Sequence, residues 1–233
     1  MAETPPPEFL DYLHAQMGEL PPEPSILEIG GGSATHVRCP GARYTVVDNS
    51  PEVLARCSYA EEKLLADAES FDPGPRKFDL VVFWNVLEHL ADPRGALVNA
   101  ARAVRHDGLL IARGPELRSL KAIVTRNTPH WFHILFYRRV LGFRNAGRNG
   151  EAPFPVEHKV TASPEAIKVA VVPLKFGVDF EQRYVGDQLR LLEQYSRLAH
   201  RLYEAASAGL RLVSRGRLGA RHTDFILAFR RQG

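Results

Sequence analysis

An apolar run that ends in a carboxylate and three consecutive glycines, Ile26-Leu27-Glu28-Ile29-Gly30-Gly31-Gly32-Ser33-Ala34, constrains this chain more than any other stretch. A second apolar run closes on Asp48, twenty residues after Glu28. Glycine lets a backbone pass close to a ligand and take positive φ, and an acid in the position of Asp48 can hold both hydroxyls of a ribose. The pair reads as a nucleotide site. The reaction stays open, because hydride carriers and methyl carriers both present an adenosine to such a loop.

The runs around this loop set the architecture. Ser25–Ile29, Tyr44–Asp48, Lys63–Ala66, Phe78–Trp84 and Leu109–Arg113 are short, apolar and rich in branched residues, the signature of buried strands. Helical segments lie between several of them: Pro51–Tyr59, with Ser50 as its cap, and Asp92–Val104, with Pro93 early in its first turn. A leading amphipathic helix, Glu8–Leu20, is stopped by Pro21, Pro22 and Pro24. Alternation of this kind predicts an α/β fold with a mostly parallel sheet covered on both faces. Beyond Glu116 the pattern changes to two helix-like stretches and a Gly/Asn/Arg-rich loop, read as an insertion. The sheet then resumes: a helix Pro164–Lys175 capped by Ser163 and stopped by Gly177, a strand Val178–Val185, a long helix from Asp187 to about Ser207, and a last strand Asp224–Arg231. The basic stretch Arg211–Arg221 is expected to be a loop. The expected organisation is one domain over 1–233, with a helical cap (1–24), a cofactor-binding core (25–116), a lid or substrate insertion (117–162) and a completion of the sheet (163–233).

Composition narrows the setting. A chain of 233 residues, 45% hydrophobic, can bury a sizeable core. No apolar run approaches the roughly 20 residues of a membrane span, and Met1 to Pro7 lacks the parts of a signal peptide, so the expected location is the cytoplasm. Cys39 and Cys57 are read as two unpaired thiols, and no metal site is expected. The net charge of +3 hides a division: 10 Lys+Arg against 18 Asp+Glu up to Glu116, and 20 against 9 after it. Such asymmetry marks either a surface for an acidic partner or a basic cap on an acidic core.

The glycine loop does not fit the dinucleotide fingerprint, which needs a glycine or alanine where Thr35 stands. Glu28, Gly30, Gly32 and Ala34 match Glu-x-Gly-x-Gly-x-Ala instead. A ligand without a pyrophosphate needs no helix N-terminus aimed at two phosphates, whereas a cationic sulfonium benefits from a nearby carboxylate such as Glu28, acting through water or the loop. Asp67, in Leu64-Leu65-Ala66-Asp67-Ala68-Glu69, stands where a carboxylate can meet an adenine amino group or, equally well, cap a turn. The strand Phe78–Trp84 runs into Asn85, Glu88 and His89, at the edge where open α/β sheets bind ligands.

From about Ser25 to Arg113 these residues resemble the class I S-adenosylmethionine-dependent methyltransferases, in particular the small-molecule branch of methyltransferase type 11. The resemblance rests on the glycine loop, Asp48, Asp67-Ala68, the Phe-Asp-Leu-Val-Val strand, Val86-Leu87-Glu88-His89-Leu90 and Arg105-His106-Asp107-Gly108-Leu109-Leu110. It implies a Rossmann-like, seven-stranded sheet with an antiparallel last strand, helices on both faces and a helical lid after strand 5. It implies S-adenosyl-L-methionine as cofactor and S-adenosyl-L-homocysteine as product. Gly30 and Gly32 would pass close to the methionine portion, with Gly31 between them in the cofactor-binding loop, and Asp48 would bind the ribose. Asn49, Asp67 and Ala68 would flank the adenine, and Asn85 would offer its backbone to the methionine amino group. Gly31 and Ala34 depart from the family's frequent residues at those places.

Methyl transfer is a direct displacement, so alignment contributes most, with a base needed where the nucleophile carries a proton of high pKa. His89, His133 and His158 are the candidate bases. Trp131, Phe132, Leu135, Phe136 and Val140 form an apolar stripe near Arg138 and Arg139, read either as helix packing or as a lid over an apolar acceptor. A stronger version adds peripheral membrane contact through 129–144. The expected activity is methylation of a small apolar or polycyclic metabolite, of the kind made in secondary metabolism, on oxygen first and nitrogen next. A tRNA or nucleic-acid methyltransferase ranks lower, since no RNA module is recognised. A noncatalytic cofactor-binding subunit is the alternative outside enzymology. Thr35 and the lack of a Tyr-x-x-x-Lys pair disfavour a nicotinamide-dependent reductase.

Overall fold

A computed structural model describes residues 4–32, 34–139, 142–148, 153 and 162–233. Seven strands form one sheet in the order β3-β2-β1-β4-β5-β7-β6: β1 Ser25–Ile29, β2 Arg43–Asp48, β3 Glu62–Leu65, β4 Phe78–Trp84, β5 Val104–Pro115, β6 Phe176–Tyr184 and β7 Asp224–Arg231. The pairs β1–β2, β2–β3, β1–β4 and β4–β5 are parallel. β7 runs against β6, since Thr223 N–H reaches the Tyr184 carbonyl at one end and Gln232 N–H the Lys175 carbonyl at the other. The sheet is mixed and mostly parallel, as the alternation of strands and helices predicts.

Eight helices accompany the strands among the described residues: α1 Pro7–Met17, α2 Pro51–Arg56, α3 Pro93–Ala101, α4 Leu120–Asn127, α5 His130–Arg139, α6 Pro164–Val171, α7 Asp187–Tyr195 and α8 Arg197–Val213. Their starts are written locally. Ser50 Oγ accepts from Val53 N–H, Asp92 from Gly95 N–H, Ser119 from Ala122 N–H and Ser163 from Ala166 N–H; proline occupies the first turn of α2, α3 and α6. None of these helices is long and apolar enough to cross a membrane.

Several expectations needed correction. α1 ends at Met17 rather than Leu20, α3 ends at Ala101 rather than Val104, and β3, read as a buried strand, is an edge strand with three of its four residues exposed. α2 stops at Arg56 rather than Tyr59. β5 starts at Val104, five residues before Leu109, because Arg105, His106 and Asp107 are exposed and hide the strand in a polar sequence. The helix after Ser163 ends in a 3₁₀ turn at Leu174, with Lys175 in the left-handed conformation at φ 65°; Gly177 is the second residue of β6, not the stop. The long helix after Asp187 is two helices. Ser196 is extended, and its hydroxyl caps α8 by accepting from Ala199 N–H, so α8 runs on to Val213 into the stretch expected to be a loop.

The described chain divides into two compact units, one of residues 1–114, 159–182 and 226–233, the other of 115–158 and 183–225. In the first, Ile26, Leu27, Leu80, Leu97, Leu110 and Phe229 are fully buried. Asp79 ties the start of β1 to β4 and β5: its carboxylate accepts from the Ser25 N–H and hydroxyl at 2.8 Å each and from Arg105 Nη1 at 2.7 Å. Burial opposes the charge, yet these donors hold the carboxyl below its ordinary range. In the second unit, Lys121 Nζ donates to both oxygens of the fully buried Asp224 at 3.1 and 3.2 Å, and the Thr223 hydroxyl donates to the same carboxylate.

Candidate functional site

The strand order reverses between β1 and β4, and an open α/β sheet offers a ligand crevice at such a switch point, outside the carboxyl ends of its strands. Gly30 follows β1 at φ 67°, a region that suits glycine, with its N–H donating to the Val47 carbonyl at 2.7 Å. A methyl group there would run into the Val86 side chain, just past β4, so the two strand ends touch. At Gly31 a methyl would come within 2.8 Å of Val46 Cγ1 and 3.0 Å of the Tyr59 hydroxyl, whereas at Gly32 it would meet nothing within 4 Å. The loop is tight beneath its first two glycines and open at the third. Ser33, within the same loop, lies outside the described residues.

Glu28 is buried at 5% exposure, and its two carboxylate oxygens accept from the hydroxyls of Thr35 and Tyr59. Burial pushes its pKa up, while the two hydroxyls pull the other way. This carboxylate fastens the segment after the glycines to Tyr59, three residues past the end of α2. Thr35, whose only meaning in the sequence was a misfit with the dinucleotide pattern, is one of the fasteners. Thr35 and Tyr59 also line a cavity of about 640 Å³ with His14, Met17 and Tyr44. That cavity lies along the β1–β2 connection, which carries no helix among its described residues.

A carboxyl whose folded pKa is raised contributes stability that is fully present below its unfolded pKa and is lost as pH rises through the folded value. The wild-type melting temperature is therefore expected to fall between the ordinary carboxylate range and neutrality by more than that of Glu28→Gln. Melting curves of both proteins across that range check this, and parallel pH profiles would remove Glu28 from the account.

The other sequence-derived residues gather along the same edge. Asp48 closes β2, half-buried, its Oδ1 accepting from Ser50 N–H at 2.8 Å; burial raises its pKa. Asn49 is exposed beside it. Asp67 follows β3 and opens a turn, Oδ1 accepting from Glu69 N–H at 2.8 Å, with Ala68 half-buried next to it. Asn85 ends β4 at φ 57°, unusual for a side-chain-bearing residue, with its N–H on the Arg113 carbonyl. His89 closes the 3₁₀ turn Leu87–His89, half-buried.

His133 lies in the second unit, on α5. Thr128 gives its hydroxyl proton to the Val124 carbonyl, so His133 Nε2, 2.6 Å from that hydroxyl oxygen, is assigned as the donor to it. Burial and the neighbouring His130 lower its pKa. His133 thus joins the end of α4 to α5. His158 and Val140 lie outside the described residues. Of the apolar stripe on α5, Trp131, Phe132 and Leu135 are exposed, and no described residue of that helix is buried.

The structure adds residues that spacing could not reveal. His36 stacks flat on the Trp84 ring, centroids 4.9 Å apart and 7° between planes, and the buried Arg113 guanidinium lies 5.9 Å from the same ring. Phe9 of α1 meets Trp84 at 5.9 Å. An aromatic platform therefore adjoins Asn85. Its parts come from four separate elements and carry no common motif.

With this geometry in hand, comparison with known proteins is informative. A family model described as a methyltransferase domain matches residues 1–147, more than half of the chain. The chain belongs to that methyltransferase family. It is a member of the class I S-adenosylmethionine-dependent group, and the family's cofactor is S-adenosylmethionine. A search of curated proteins gave no match. Among solved structures, a SAM-dependent methyltransferase from Methanosarcina mazei shares the fold over 98% of this chain and 99% of its own, at 15% identity and a TM-score of 0.54. The N-methyltransferase NodS from Bradyrhizobium japonicum, solved with S-adenosyl-L-homocysteine, shares it over 97% and 88%, at 16% identity and 0.51. So does the [4+2]-cyclase SpnF, over 97% and 81%, at 15% identity and 0.57. At these identities the fold is what is shared, and a cyclase among the neighbours shows that the fold alone does not fix a reaction.

Proposed function

We propose that this methyltransferase moves a methyl group from S-adenosylmethionine to a small, apolar or polycyclic metabolite, with oxygen the favoured acceptor atom and nitrogen the next. The observation that carries the reading is the convergence of the Gly30 turn, Asp48 and Asn85 on the carboxyl edge of β2, β1 and β4 at the switch point. When bound, the cofactor supplies a methyl group on a sulfonium. Gly30 and Gly32 would face its methionine portion with backbone alone, and Asn85 would offer its own backbone there. Asp48, oriented by Ser50 N–H, would take the ribose hydroxyls, and Asn49, Asp67 and Ala68 the adenine. Glu28 acts from behind the loop, through Thr35 and Tyr59, rather than by contact.

On the acceptor side, the His36–Trp84 stack lies beside Asn85 and supports an acceptor with an apolar, aromatic or polycyclic face. A hydroxyl acceptor must lose a proton as the methyl arrives. His89, at the same edge, is the first candidate base, and His133, occupied between two helices, ranks behind it; His158 stays a candidate from sequence. Assays of His89→Ala, His133→Ala and His158→Ala one at a time test this: full rate in all three would leave alignment as the sole contribution.

Asp48→Asn keeps an acceptor for Ser50 but removes the charge. It is expected to weaken S-adenosylhomocysteine by about 1–3 kcal/mol with little change in melting temperature. Calorimetric titration reads this directly. Unchanged affinity would take Asp48 out of the site, and binding of NADH in place of S-adenosylhomocysteine would overturn the reading as a whole.

A further inference from the structure

Helix α8 wears its amphipathicity inside out. Its inner face is held by polar groups: the Tyr203 hydroxyl accepts from Lys121 N–H at 3.2 Å, and the buried Ser207 hydroxyl donates to the Gly219 carbonyl at 3.2 Å. At about 100° per residue, the opposite face collects Leu198, Leu202, Ala205, Gly209 and Leu212, with Val213 at its edge. Leu198 is 69% exposed, Leu202 62%, Leu212 81% and Val213 85%. A single exposed leucine is ordinary, but a stripe running the length of a 17-residue helix is not.

The surroundings of the stripe are cationic. Arg197 and Arg201 are exposed on one flank of it, with the one acid of the helix, Glu204, exposed on the same flank, and Arg215 and Arg217 are exposed just past its end. The unit to which α8 belongs, residues 115–158 and 183–225, carries 15 Lys+Arg against 7 Asp+Glu. We propose that α8 is a docking surface for an anionic lipid bilayer, with its leucines at the acyl boundary and its arginines among headgroup phosphates. Two copies of the chain meeting through α8 would bring two strongly cationic units together. A nucleic acid would use the arginines and leave the leucines in water. The proposed contact lies on 197–213, in addition to the 129–144 segment named from the sequence, whose Trp131, Phe132 and Leu135 are exposed as well.

Co-sedimentation of the full chain with vesicles tests this, using phosphatidylcholine alone and phosphatidylcholine with about 30% phosphatidylglycerol, in roughly 0.1 M and 0.5 M KCl. The wild type is expected to sediment with the anionic vesicles, and less at the higher salt. Leu202→Gln/Leu212→Gln, which leaves the charge unchanged, should lower partitioning about tenfold or more. Arg197→Gln/Arg201→Gln should lower it by roughly as much on anionic vesicles alone. All the substituted side chains are exposed, so unaltered melting curves for both variants verify that the fold is intact. No sedimentation of the wild type with anionic vesicles, or sedimentation that the leucine variant leaves unchanged, overturns the proposal. So does a leucine-dependent dimer in sedimentation velocity, or tight leucine-independent binding of a single-stranded RNA, where neither is accompanied by vesicle binding.

Discussion

Gly30→Ala is expected to cost about 3 kcal/mol or more in stability and to remove measurable affinity for S-adenosylhomocysteine. Two physical terms combine. A side-chain-bearing residue pays about 1–2 kcal/mol for the left-handed conformation that Gly30 holds at φ 67°. Its Cβ also collides with Val86, and forcing a methyl into filled space costs about 1–3 kcal/mol more. The terms are separable. Adding Val86→Ala clears the collision but not the backbone strain, so the double variant should be more stable than the sum of the single losses predicts, by about 1–2 kcal/mol. Denaturant unfolding of the four proteins measures the coupling, and strict additivity would assign the whole cost to backbone conformation. Titration of the same proteins with S-adenosylhomocysteine reports whether the loop must keep its path to bind.

Lys121→Met is expected to cost about 3 kcal/mol, because it strands the Asp224 carboxylate, which has no exposure to water, without the ammonium that bonds both of its oxygens. The lysine is itself partly exposed, at 23% of its side chain, which places the loss at the lower end for a broken buried pair. Restoring neutrality should recover most of it. Lys121→Met/Asp224→Asn keeps a polar partner for the Thr223 hydroxyl while removing the charge, and should unfold within about 1 kcal/mol of the wild type. An equal penalty for Lys121→Met in both backgrounds would show that the pair is not what the lysine contributes.

What could be read in the sequence was local. Glu28, Gly30, Gly32 and Asp48 lie in short stretches where residue type and chain geometry decide together, and Ser50, Asp92 and Ser163 sit beside the helix starts they cap. β1, β2 and β4 were visible as apolar runs because both of their faces are buried, whereas β3 was read from Leu64-Leu65-Ala66 although it is an edge strand, mostly exposed. β5 was shortened in the reading because its first turn of chain is polar. Ser196 looked like one more helical residue, since a serine that breaks a helix and one that rides on it have the same neighbours in sequence. Gly177 looked like a stop because glycine favours that role, yet Lys175 took the left-handed position two residues earlier. The Gly30–Val86, Glu28–Tyr59 and Trp84–His36 contacts join residues dozens of positions apart, with no periodicity or motif to announce them. The Lys121–Asp224 pair, 103 positions apart, is the extreme case.

The position of β7 in the sheet orders events during synthesis. Because β7 lies between β5 and β6, the strand Phe176–Tyr184 emerges from the ribosome well before the strand that will hold it in the sheet. Until Asp224–Arg231 has emerged, β5 presents an unpaired edge in the nascent chain, a surface of the kind that recruits chaperones or a neighbouring polypeptide. The sheet is thus locked by the seventh of its strands in chain order, and a ribosome stalled before residue 224 would hold a chain with a complete glycine loop and an open flank.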